Sequence, residues 1–99
     1  MHHDQSRSSD DHDKALRELA TELADEFAAQ SGGYVIDARI RKPPGYPPYL
    51  RVAVLTEDGQ RAENIYRSPD LFLWEWRQPV DGADTPGVAR TIVHALTAS

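Results

Sequence analysis

Residues 49–67, YLRVAVLTEDGQRAENIYR, decide the fold. The first eight, Tyr49–Thr56, read as a strand with an apolar side and a mixed side. Glu57, Asp58, Gly59 and Gln60 follow, and the Asp-Gly pair suits a two-residue hairpin turn with positive φ at both central positions. A third strand from about 60 to 67 is therefore expected to run back antiparallel. A tight turn at Asp58-Gly59 sets Val54 against Glu63, Val52 against Ile65 and Arg51 against Tyr66. The third strand is the more polar one and is expected toward a sheet edge.

Upstream, residues 34–41 (YVIDARIR) alternate, with Tyr34, Ile36, Ala38 and Ile40 on one side and Val35, Asp37, Arg39 and Arg41 on the other. That is a half-buried strand. Lys42 leads into Pro43, Pro44, Gly45, Tyr46, Pro47 and Pro48, where four prolines forbid helix and favour a stiff, extended loop. Earlier still, Leu16, Leu19, Ala20, Leu23, Phe27 and Ala28 recur at spacings of three and four, which predicts a helix over 13–30. Asp10, Asp11 and Asp13 are suited to its start, and Gly32 and Gly33 to its end.

Downstream, Ser68-Pro69-Asp70 precedes 71–77 (LFLWEWR), which puts Phe72, Trp74 and Trp76 on one face and Leu71, Leu73, Glu75 and Arg77 on the other. Ser68-Pro69-Asp70 also resembles a helix start, but period two and aromatic β-propensity favour a fourth strand there. Thr85 is expected to cap, and Pro86 to open, a closing helix over 86–97 with Val88, Ile92, Val93 and Leu96 as its apolar stripe. The order helix, four strands, helix predicts an α+β fold: a four-stranded antiparallel meander with both helices on one sheet face.

The 99 residues fit one domain, expected over 13–99. Residues 1–12 (MHHDQSRSSDDH) hold no apolar side chain after Met1 and are expected to form a disordered arm. The absence of cysteine excludes disulfides, thiolate metal sites and cysteine nucleophiles, and favours a cytoplasmic setting. No signal-peptide pattern and no apolar run of about 20 residues occurs, so no membrane span or membrane partner is expected. Nine arginines against two lysines, with abundant alanine, fit GC-rich coding and a bacterial source.

The net charge of −5 is uneven: residues 1–33 carry eight acids against three bases, whereas 34–77 carry six against seven. The acidity therefore belongs to the first helix and the arm, where Glu18, Glu22, Asp25 and Glu26 form a wet face suited to an acidic inhibitor. His2, His3 and His12 lie in the arm and His94 on the flank of the closing helix, and none gathers the ligands or second shell of a metal site. Asp37, Glu63 and Glu75 sit in strands, where solvated carboxylates are the ordinary case. No nucleophile, base and orienting acid assemble, and the glycines match no phosphate-binding pattern, so neither catalysis nor a cofactor is expected.

The one suggestive constellation is basic and aromatic. Arg39, Arg41, Lys42 and Arg51 flank Tyr46 and Tyr49, and strand parity puts the three arginines on one face. Trp74 and Trp76 are either core or interface, since parity alone does not choose the face. Tryptophan, tyrosine and arginine are the residues enriched at interface hot spots. A chain this short buries only about two-thirds of its unfolded surface, so association helps it. The expected function is a non-enzymatic protein-interaction module, regulatory or adaptor in kind and homodimeric, using these eight residues. Nucleic acid is the alternative partner, since arginines beside aromatic rings hold single strands, but the overall negative charge disfavours it.

Overall fold

The computed structural model describes residues 3–29, 35–57 and 59–97. Its elements are helix α1 (His3–Ala29), strands β1 (Val35–Arg41), β2 (Tyr49–Thr56), β3 (Gly59–Arg67) and β4 (Phe72–Trp74), and helix α2 (Thr85–Thr97). The strands form one antiparallel sheet in the order β1-β2-β3-β4. Both helices pack on the face that carries Leu50, Val52, Val54 and Ile65, so the α+β meander expected from the sequence is the fold. Gly32, Gly33 and Tyr34 lie outside the described residues.

Helical spacing on α1 sends Leu16, Leu19, Leu23 and Phe27 into the core, and α2 sends Val88, Ala89, Ile92, Val93 and Leu96 to meet them. Phe72, Trp74 and Val80 close the β4 end. On β1, Ile36, Ala38 and Ile40 pack against the same cluster, as their alternation demands. Ala28, placed on the apolar stripe by spacing, is exposed.

The first helix begins at His3, ten residues before the expected start, so helical backbone runs through the segment read as a disordered arm. Nucleation is the costly step of helix formation, whereas each added residue gains a hydrogen bond. Once Leu16 to Phe27 are packed, upstream turns propagate at little cost. Asp13 is consequently not at the helix start but in its interior, where it pairs with Arg17 at 2.9 Å and with Lys42 at 3.1 Å.

The β2–β3 register is two residues away from the expected one. Thr56 pairs with Gly59, Val54 with Arg61, Val52 with Glu63 and Leu50 with Ile65. Gly59 thus opens β3, at φ 124°, instead of sitting inside a two-residue turn. A two-residue shift leaves every side chain on its predicted face. It also brings together two fully buried residues, Leu50 and Ile65, and sets Tyr49 opposite Tyr66. β3 lies inside the sheet, not at its edge, but only Ile65–Arg67 has a β4 partner.

The expected strand over 71–77 stops at Trp74. The Trp74 carbonyl accepts the Arg77 N–H at 2.9 Å, the Trp74 N–H donates to the Gln78 carbonyl at 2.9 Å, and Arg77 has φ 68°. This is the three-residue hairpin loop in which a turn is followed by a left-handed residue. The returning chain bridges Pro79 to Leu73, and Val80 donates its N–H to the Phe72 carbonyl at 2.9 Å. The closing helix is capped by Asp84, one residue before the expected Thr85: its Oδ1 accepts the Gly87 N–H at 2.9 Å. Gly82 (φ 146°) lies so close to that helix start that a Cβ would come within 2.5 Å of the Val88 nitrogen.

Candidate interaction face

Because both helices pack on one side of the sheet, the alternate residues of every strand are left on the other. Cross-strand pairing arranges these in rows. One row runs Arg41, Tyr49, Tyr66 and Leu73, and the next runs Arg39, Arg51 and Asn64. A third carries Asp37, Ala53 and Ala62. The first row is aromatic and apolar in its middle, while the second is cationic toward β1.

Tyr49 and Tyr66 stand directly across the ladder with ring centroids 5.2 Å apart and planes tilted by 37°, a contact that aromatic quadrupoles favour over flat stacking. The proline loop rises beside them. Its turn is closed by a 3.2 Å hydrogen bond from the Tyr46 N–H to the Pro43 carbonyl, with Gly45 at φ 78°, and it holds Tyr46 outward at 74% exposure. Between this loop and the corner formed by the end of β3 and the β4 turn lies a groove of about 450 Å³, lined by Pro43, Tyr46, Pro47, Tyr49, Tyr66 and Leu73, with Arg67, Ser68, Glu75 and Arg77 at its far wall. Its size falls in the range of ligand sites, and so does its mixture of an apolar lining with a few polar groups.

The charges around the groove divide into committed and uncommitted groups. Arg39 is tied to Asp37 at 2.9 Å, Arg67 lies over the Phe72 ring at 4.6 Å, and Glu75 accepts a 3.4 Å hydrogen bond from Asn64. Arg41, Arg51 and Arg77 have no ion-pair partner among the described residues. Burial raises the Tyr66 pKa above the ordinary phenol value, Glu75 and Tyr49 add to the rise, and Arg77 opposes it. Like any phenol, the Tyr66 hydroxyl is protonated at neutral pH and can donate. Glu63 is also raised, first by burial and then by the Glu75 charge.

Of the eight residues singled out from the sequence, Arg39, Arg41, Tyr49 and Arg51 share the open face with Tyr46 above them. Lys42, one residue past the end of β1, reaches toward α1 instead, with its Nζ 3.1 Å from Asp13. Trp74 is core, at 9% exposure, and Trp76 stacks on it with ring centroids 5.2 Å apart and planes 3° from parallel. Trp76 itself is 55% exposed. The sequence reading missed Tyr66 and Arg77 as groove residues: the first needed the register, the second the hairpin turn.

On the helix side, Glu18 and Asp25 face solvent, while Glu26 lies 3.8 Å from Arg90 of α2. No group of metal-binding side chains occurs among the described residues, and no helix among them is long and apolar enough to cross a membrane. No known protein family matches the chain, and no curated protein or solved structure does.

Proposed function

We propose that this chain is a non-catalytic protein-interaction module that engages its partner through the helix-free face of the sheet. One observation carries this: an uncovered face presents an ordered tyrosine pair and an apolar groove, with Arg41, Arg51 and Arg77 around them lacking an ion-pair partner among the described residues. Rigid aromatic anchors ringed by guanidinium groups are the composition of interface hot spots. The homodimer expected from chain length fits this face less well. A two-fold contact sets the patch against its own copy, so a face with more arginines than acids would meet an equally cationic one, and like charges facing each other cost affinity. A different, anionic chain fits better.

A second reading, single-stranded nucleic acid, draws on the same tyrosines and arginines. The net charge of −5 opposes the approach of a long polyanion at low salt, although at physiological salt, where the Debye length is about 8 Å, the acids of α1 behind the sheet are largely screened from this face. A photo-crosslinking residue placed at Tyr46 or Ala53, and separately at Asp25 on the outer side of α1, tests the proposal in the cell that makes the protein. Discrete protein adducts are expected from positions 46 and 53, and their loss with Arg51→Glu. Adducts from position 25 alone, or adducts to nucleic acid, would overturn it.

A further inference from the structure

We propose that the groove beside the proline loop binds an extended acidic peptide with proline at its centre. This deepens the reading of the open face as an interaction surface and stands only if that reading does. Three features of the groove select such a ligand.

The first is shape and lining. Tyr46, Tyr49 and Tyr66 with Pro43 and Pro47 make an apolar trough open at the surface. Aromatic-lined troughs accept polyproline-type segments, whose pyrrolidine rings pack against aromatic faces and whose conformation is already extended, so little ordering entropy is lost on binding. The second is hydrogen bonding. A polyproline helix has no internal hydrogen bonds, so its carbonyls need donors. Tyr66, whose phenol lines the trough, supplies one.

The third feature is charge. Arg41 sits beside Tyr49 across the β1–β2 ladder, Arg51 lies two residues along from Tyr49 on the same face, and Arg77 stands on the opposite wall. These three guanidinium groups have no ion-pair partner among the described residues, and they outnumber Glu75, which keeps its negative charge in the lining because its Asn64 partner is a neutral amide. Carboxylates flanking an apolar centre complement this pattern, and guanidinium groups pair with carboxylates in fork geometry. The tyrosines favour a peptide over an oligonucleotide. The Tyr49 and Tyr66 rings are half-buried and tilted toward each other, forming a wall for a narrow side chain instead of the two free flat platforms that successive bases need.

The test is an amide chemical-shift titration of the full chain with four synthetic ligands. Three are ten-residue peptides sharing one proline-rich centre, flanked by glutamates, serines or lysines; the fourth is a ten-nucleotide oligo(dT). The glutamate peptide is expected to bind about tenfold more tightly than the serine peptide, which is what two or three exposed ion pairs supply, with shifts at 43–51, 64–68 and 73–77. Raising the salt should erase that advantage, and so should Arg51→Ser combined with Arg77→Ser, while the serine peptide keeps its affinity. Equal binding of the acidic and neutral peptides, or tighter binding of oligo(dT) at these residues, would overturn the proposal. If no peptide shifts these resonances while the crosslinks from positions 46 and 53 persist, the peptide assignment falls and the interaction face stands.

Discussion

Arg77 occupies the left-handed backbone region at φ 68°, and replacing it by glycine should stabilise the protein. A side chain in that region costs about 1–2 kcal/mol relative to glycine. Glycine returns part of this by adding about 0.4–1 kcal/mol of entropy to the unfolded chain. The net gain is about 0.5–1 kcal/mol, which for a domain of this size raises Tm by about 2–8 °C. Calorimetry or thermal denaturation followed by circular dichroism measures it directly. Arg77→Ala is the control: it removes the same guanidinium but keeps the Cβ, so it should give no gain. If Arg77→Gly leaves Tm unchanged, or both variants shift it equally, the hairpin argument is wrong and Arg77 acts through its side chain.

Further outcomes follow from other local geometry. Gly82→Ala should destabilise by at least about 2 kcal/mol, because its Cβ would lie 2.5 Å from the Val88 nitrogen at a φ of 146°; a urea midpoint within error of the parent would contradict that packing. Asp84→Ala should cost about 1 kcal/mol by freeing the Gly87 N–H, and Asp84→Asn should restore most of it. Leu50→Ala should cost about 2–5 kcal/mol, since Leu50 is fully enclosed opposite Ile65. Glu63 is held above its ordinary pKa by burial and then by Glu75, so its ionisation opposes folding. That cost is absent below the unfolded glutamate pKa of about 4.3 and grows as pH rises through the folded value. Glu63→Gln should therefore raise Tm at pH 7 and lose its advantage by pH 4; a constant difference across that range would show that charge is not the cause.

How far the sequence reveals this molecule depends on the range of the interactions involved. Strand parity is local and period two, so the faces of Leu50, Val52, Arg39, Arg41 and Arg51 were legible from residue order alone. Helical spacing likewise identified Leu16 to Phe27 and Val88 to Leu96. Register is not local. The Asp58-Gly59 pair is a strong turn signal, but Leu50 meeting Ile65 and Tyr49 meeting Tyr66 belong to the pairing in which Thr56 joins Gly59. The β4 hairpin was hidden because its left-handed residue is arginine where glycine is the usual signal. The length of α1 escaped notice because its first turns carry no apolar residue and extend by propagation. Of the site, the arginines, Tyr49 and the face of Tyr66 were visible, while the Tyr66 contact with Tyr49 needed the register and Arg77 the turn. Lys42, one residue past the end of β1, pairs with Asp13 of α1, a contact between distant segments that residue order does not show.

The central claim is that one face of the sheet is free for a partner, and a soluble paramagnetic relaxation agent tests it most directly. In the isolated protein, the methyl groups of Ala53 and Ala62 on the open face should relax strongly, while those of Val52, Val54, Ile65 and Ala89 beneath the helices should be shielded. Shielding of Ala53 and Ala62 to the level of Val52 would mean that something already covers that face, whether a second copy or the chain itself, and would contradict the account.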